Sequence, residues 1–213
     1  RIAKEKNIVE EILATDKNVL VIGGGDTGAD CVGVSIRQGA KSVTQIEIMP
    51  KPPEKRTEEM PWPKYPNLFK TSTSHEEGCE RLWSVLTKEF CGEKGCVSST
   101  KLKKVSWEKD ETGKLKMSEI VGSGFELKTE LVILALGFIN PIKSGLLEQL
   151  GVELDERGNV KTDINKKTSI EKVFAAGDAS RGASLIVNAI ADGRRSARTV
   201  DIFLMGESLI QEI

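Results

Sequence analysis

The stretch VLVIGGGDTGADCVGVSIRQGA, residues 19–40, decides the fold. It reads as a short apolar strand, a glycine turn, and a helix ended by Gly39. Within it Gly23, Gly25 and Gly28 make G-x-G-x-x-G. Gly23 permits the tight turn off the strand. Gly25 has no side chain to block a pyrophosphate, and Gly28 lets the helix pack close to the strand. The helix N-terminus offers unpaired N–H groups and a partial positive charge to a phosphate. A bare G-x-G-x-x-G is a weak signal. This one follows a strand, opens a helix and precedes a second strand at residues 43–48, so the context carries it. The alternative is a glycine turn in an α/β domain that binds nothing.

The surrounding chain narrows the class. Its 213 residues suit one large domain or two small ones, and 38% hydrophobic residues suffice for a core. The net charge is −1, with no basic patch of the kind that nucleic-acid binding needs. The longest apolar run, residues 131–138, is too short to cross a bilayer, and the charged opening RIAKEKNIVEEIL is not a signal peptide. Cys31, Cys79, Cys91 and Cys96 form no C-x-x-C pair, so a metal site is not expected. They read as reduced thiols of a cytoplasmic protein, with a Cys91–Cys96 disulfide as the lesser alternative. The chain opens on Arg1 and its first strand begins only near Lys17, as expected of a piece of something longer.

Outward from the motif, residues 1–16 read as a helix or connector and residues 17–50 as a β-α-β unit. Residues 51–70 hold five prolines and read as an ordered loop or linker, with Trp62, Tyr65 and Phe69 to pack it down. An aromatic box of Trp62, Tyr65 and Trp83 is the alternative to simple packing. The spacing of Leu82, Val85, Leu86 and Phe90 predicts a helix over 80–90. Residues 97–107 and 114–121 alternate as strands about a turn at Glu111-Thr112-Gly113. Residues 129–137, TELVILALG, read as a strand buried on both faces. Beyond Phe138 a short helix is expected at 146–150, a short strand at 160–162 and a buried strand at 173–176 ending in Gly177-Asp178. A turn at 179–183 then leads to a long helix over about 184–205, with Arg194, Arg195 and Arg198 on its wet face and Gly206 as its stop. The fold class is therefore α/β: a Rossmann-like unit with a parallel sheet and a β-meander, joined to part of a second α/β unit.

VFAAGDASRGASLIVNAIADGRRSA carries a second signal. An acidic residue at a strand tip can bond sugar hydroxyls, and a helix starting just beyond can face an anionic group. Taken with the glycine motif and the ILALGF strand, it resembles the closing FAD segment of flavoproteins with two dinucleotide-binding domains. GGGDTGADC, EIMPKPPEKR, PWPKYP, STSHEEGCERLW, LTKEF-x-G-x-x-G, LLEQLGVELDERGNV and VFAAGD with its following SL helix resemble the small-subunit family of glutamate synthase, over nearly all of residues 17–206. That family sits in the FAD/NAD(P)H-dependent pyridine nucleotide-disulfide oxidoreductase-like superfamily. It is related to the reductase parts of dihydropyrimidine dehydrogenase and of ferredoxin–NADP transhydrogenases.

The resemblance implies residues 1–16 as connector, 17–137 as NAD(P)H-binding domain and 138–213 as the C-terminal part of an FAD-binding domain. It implies electrons passing from NAD(P)H through FAD towards iron–sulfur clusters, with the large subunit of glutamate synthase as partner. The first FAD motif and the cluster-binding segments would lie upstream, leaving an incomplete FAD site here. Hydride chemistry belongs to the cofactors, so no catalytic acid or base is nominated. The rival expectations are a sibling reductase serving another acceptor, and a non-catalytic nucleotide-binding or assembly module.

Gly24, Gly25, Asp26 and Thr27 are expected near the pyrophosphate, with Asp26 as a possible helix cap in addition. Glu47 stands 19 residues past Gly28, roughly the ~20-residue spacing at which an acidic residue meets the ribose 2′-hydroxyl of NAD. Arg56, beside Lys51 and Lys55, is the candidate clamp on a 2′-phosphate. Some bacterial relatives carry an Arg-Arg pair where Ile48-Met49 stand here, which tilts the expectation to NADH. The resemblance places Gly137 against the nicotinamide cofactor, Gly177 and Asp178 on FAD, and Ser184 and Leu185 at the flavin ring. His75, the sole histidine, is expected to cap or to face solvent.

Overall fold

The computed structural model describes residues 11–63 and 67–212. The chain divides into two compact units, Arg1–Leu136 and Gly137–Ile213. In the first, β1 (Asn18–Ile22), β2 (Ser42–Glu47), β3 (Glu80–Trp83) and β7 (Leu131–Leu134) form a parallel sheet in the order β3-β2-β1-β7. Between β3 and β7 the chain builds an antiparallel meander of β4 (Val85–Glu93), β5 (Cys96–Lys109) and β6 (Leu115–Lys128). Helix α1 (Asp26–Arg37) joins β1 to β2, and the one-turn α2 (Thr73–Glu76) precedes β3.

Alternation along β1 explains the layers. Val19 and Val21 join Val32 of α1, Val43 and Ala135 in one buried cluster. Leu20 points the other way, into a cluster with Ile46, Val85 and Leu102 of the meander. The parallel sheet is thus covered by α1 on one face and by the meander on the other. Each fully buried aliphatic side chain contributes roughly 1.5–3 kcal/mol. Trp107 Nε1 donates to the Ile48 carbonyl at 2.8 Å and fixes the meander to the outgoing end of β2.

Several expectations change. Residues 80–90 are two strands, not a helix. Ser84 sits between them at φ 55°, and Glu80 to Trp83 pair in register with Thr44 to Glu47. Short apolar runs fit either period, and pairing to β2 decides this one. The strand in TELVILALG is only Leu131–Leu134, with Leu131 to Ile133 half-buried and Leu134 exposed, because among the described residues it lies at the sheet edge with β1 as its one neighbour. The loop at 51–70 packs through Phe69, whose ring meets Trp83 edge to face at 5.5 Å, while Trp62 is exposed. Tyr65 and residues 1–10 lie outside the described residues. The turn at 111–113 forms as expected: Asp110 Oδ1 accepts from the Thr112 and Lys114 amides. The four cysteines are unpaired.

The second unit holds α3 (Leu146–Leu150), α4 (Asp178–Arg181) and α5 (Ile186–Met205). The strands expected at 160–162 and 173–176 reduce to single bridges, Leu154 with Val160 and Lys167 with Phe174. Helix α5 stops at Gly206 in the left-handed region, as expected, but starts at Ile186, so Ser184 and Leu185 precede it. Its packed side is also not the expected one. Asp192 and Thr199 are buried, Arg195 and Arg198 are half-buried, and Leu185, Ile186 and Ile190 are exposed. Asp192 is fully enclosed, 2.9 Å from Lys166 Nζ and gripped by Arg181 through Nε at 3.0 Å and Nη2 at 2.7 Å. Hydrogen bonding from Arg181, then Lys166, pulls the Asp192 carboxyl down to about 2.

Candidate functional site

The parallel sheet has its topological switch at β1, which pairs with β2 on one side and β7 on the other. Ligands of open α/β sheets bind outside the carboxyl ends of the strands at such a point. There the chain leaves β1 at Gly23 with φ +126°, a backbone state that L side chains rarely adopt. A Cβ at Gly23 would lie 2.2 Å from the Ala135 carbonyl oxygen, and one at Gly28 would lie 2.1 Å from the Gly23 carbonyl oxygen. Gly23 lets the turn lie against the chain leaving β7, Gly28 lets α1 lie against the turn, and both are buried. Gly25 is the opposite case: it is exposed, and a Cβ there meets nothing within 4 Å.

Gly25, not Asp26, is the N-cap of α1, and no side chain caps the helix. Asp26 is the first helical residue. The leading N–H groups of α1 are therefore free of a side-chain acceptor, which leaves the end of the helix dipole available to an anion. Glu47, half-buried at the tip of β2, accepts from the Gly24 N–H at 2.7 Å and from the Met49 N–H at 3.0 Å. It ties the glycine turn to the exit of β2.

Beneath the turn lies a polar chain that sequence reading missed. Gln45, buried on β2, donates from Nε2 to the Gly23 carbonyl at 2.9 Å. Its Oε1 lies 2.9 Å from His75 Nε2. The Ser72 N–H can only donate, and it meets His75 Nδ1 at 3.2 Å. Nδ1 is therefore the acceptor and Nε2 the donor to Gln45. Burial, aided by the Arg81 cation, holds the His75 pKa below its usual value and favours this neutral ring. His75 thus caps α2, as expected, and also steadies the glycine turn through Gln45.

Gly24, Gly25, Asp26 and Glu47 line one side of a cavity of about 520 Å³. Lys51, Phe69, His75, Arg81 and Trp83 are among the residues that line the rest. Lys51 Nζ stands 4.4 Å from the Phe69 ring centre, and the Arg81 guanidinium stands 4.9 Å from Phe69 and 5.0 Å from Trp83. Arg56 is not among the lining residues; its Nη1 donates to the Met60 carbonyl at 2.8 Å. Thr27 is exposed at the first turn of α1, outside the lining, and Gly28 lies buried behind it. Gly137 begins the second unit, exposed at φ +79°. Gly177 (φ +60°) caps α4, and Asp178 joins Phe138 and Ile142 around a smaller space of about 330 Å³. Ser184 and Leu185 are exposed just ahead of α5 and do not line that space.

Among the described residues no trio of His, Cys, Asp or Glu is placed to hold a metal, and no helix is long and apolar enough to cross a membrane. The sequence profile of pyridine nucleotide-disulphide oxidoreductases matches residues 2–193. The small chain of glutamate synthase [NADPH] from Mycobacterium tuberculosis is 50% identical over 93% of this chain and 40% of its own length. Glutamate synthase [NADH] from Schizosaccharomyces pombe is 41% identical over 93% of this chain and 10% of its own length. The crystal structure of T. acidophilum thioredoxin reductase superposes with TM-score 0.55 at 28% identity, covering 87% of this chain and 52% of that one. The chain thus spans well under half the length of either of these glutamate synthase relatives.

Proposed function

We propose that this chain, which belongs to the pyridine nucleotide-disulphide oxidoreductase family, is the NAD(P)H-binding portion of a glutamate synthase small chain. The carrying observation is the uncapped start of α1, beside a glycine turn that opens on a cavity rimmed by Glu47. The amides at Gly25 to Thr27 would hold the diphosphate, and Glu47 would take a ribose hydroxyl while keeping the Gly24 amide. The open space over Gly25 fits this group: the one glycine of the motif with room for a side chain is the one a diphosphate must approach.

In the second unit Gly177 and Asp178 would form part of an FAD site, with the Ser184–Leu185 amides towards the flavin and Gly137 towards the nicotinamide. The portion of the small chain beyond the matched region would complete that site and bring the iron–sulfur clusters. A flavin bound there would supply the hydride-accepting and single-electron chemistry. The residues of this chain bind and orient. We place the assembly in the cytoplasm, with the glutamate synthase large chain as its partner.

Gly25→Val tests the reading. A side chain there has space and an ordinary φ of −81°, so the fold should survive. The valine would occupy the place of the diphosphate. Calorimetric or fluorescence titration should show NAD(P)H binding to the chain and its loss, roughly tenfold or more, in the variant. A variant that binds as well as the parent chain would refute it.

A further inference from the structure

One end of the cavity carries more positive charge than binding a diphosphate on α1 requires. Lys51 follows β2 in the proline-rich loop, and Arg81 stands on β3, one strand across from the tip of β2. The two converge on one pair of rings. Lys51 Nζ is 4.4 Å from the Phe69 centre and 5.6 Å from that of Trp83; the Arg81 guanidinium is 4.9 and 5.0 Å from the same two. Trp83 is the register partner of Glu47, so this corner adjoins the place where the ribose of a docked coenzyme would lie.

Among the described residues no carboxylate lies within ion-pair distance of Lys51 or Arg81. The nearby acid, Glu47, accepts from the Gly24 and Met49 amides and forms no ion pair with either cation among the described residues. Arg81 donates from Nη1 to the Lys70 carbonyl at 3.1 Å, while its buried Nε has no acceptor. Ring contacts account for where the two cations lie, but they do not neutralise two like charges at one cavity corner. A dianionic phosphate would.

We infer that Lys51 and Arg81 form a 2′-phosphate subsite, which makes this chain select NADPH over NADH. The inference rests on the coenzyme reading given above and names the substrate within it. It moves the phosphate clamp from Arg56, which is bonded to the Met60 carbonyl, to residues that line the cavity. It also sets aside the tilt to NADH drawn from Ile48-Met49. A guanidinium held against two aromatic rings and a backbone carbonyl is pre-positioned for phosphate contact. Burial disfavours the Arg81 charge, a cost that a bound phosphate would offset.

The test titrates the 213-residue chain with NADPH and with NADH, as parent and as Lys51→Gln and Arg81→Gln. Lys51 is exposed, so its replacement leaves the fold in place. NADPH should bind the parent chain roughly tenfold tighter than NADH, and each variant should lose roughly tenfold for NADPH and less than about twofold for NADH. Adenosine 2′,5′-bisphosphate should displace NADPH better than ADP does. Equal weakening of both coenzymes by Lys51→Gln, or equal affinities in the parent chain, overturns the subsite and leaves the coenzyme reading standing. Failure of both coenzymes to bind the parent chain overturns the two together.

Discussion

Gly28→Ala should unfold the coenzyme turn from beneath. The added methyl would stand 2.1 Å from the Gly23 carbonyl oxygen and 2.7 Å from Gln45 Nε2. The first is backbone, so α1 must move off β1 or Gly23 must turn. Forcing a methyl into such a seam costs typically ~1–3 kcal/mol. Displacing Gln45 leaves a buried carbonyl without its donor, about 1–3 kcal/mol more. Against this, alanine is better than glycine inside a helix by about 0.5–1 kcal/mol. The balance is a net loss of about 3 kcal/mol, since the two penalties exceed the helical gain over most of their range. Urea denaturation followed by far-UV circular dichroism would read it, as a lower midpoint with an unchanged slope. A Gly28→Ala chain as stable as the parent, with Gln45 still bonded to Gly23, would refute the close-packing argument.

Two further changes probe the second unit. Gly193, in the middle of α5, has nothing within 4 Å of an added Cβ, so Gly193→Ala should stabilise by about 0.5–1 kcal/mol, read as a raised thermal midpoint. Asp192→Asn leaves Lys166 and Arg181 packed together without their anion and should cost about 3–5 kcal/mol. The acid limb gives the sign. The folded carboxyl titrates at about 2, below its ordinary 3.8, so its stabilisation is complete above the higher value and fades as pH falls through the lower. The stability gap between the parent chain and Asp192→Asn, measured by denaturant titration at several pH values, should hold constant above about pH 5 and shrink below it. A constant gap down to pH ~2 would remove Asp192 from the acid-sensitive set.

The β-α-β unit was legible because its signals are local. The glycine spacing, the apolar run before it and the stop at Gly39 each act within a few residues. The acid at Glu47 was legible by its distance from Gly28. Arg81 was not, because its position depends on β3 pairing with β2, and residues 80–90 carry an apolar spacing that fits a helix as well as two short strands. The pairing of Gln45 with His75 is illegible for a related reason: the two are 30 positions apart, and only the fold makes them neighbours. In α5 the wet face is expected at Arg194, Arg195 and Arg198, whereas the packed side is the one that carries the ion cluster at Asp192, with Arg195 and Arg198 half-buried. Charges buried as a set look like a wet face in a sequence, since nothing local marks which cation will meet which anion.

The placing of β7 has a consequence for how the first unit is made. Asn18 bonds Glu130, 112 positions away, and β7 arrives beside β1 only after the whole meander has been laid down. Closing a loop of that size costs about 4 kcal/mol of chain entropy beyond a constant term. The unit should therefore assemble from its local pieces first, the opening β-α-β and the two hairpins, and zip its last strand in slowly. During synthesis β1 waits with one bare rim, an adhesive surface for other strands. Expression fragments ending short of Leu131 would keep that rim bare for good.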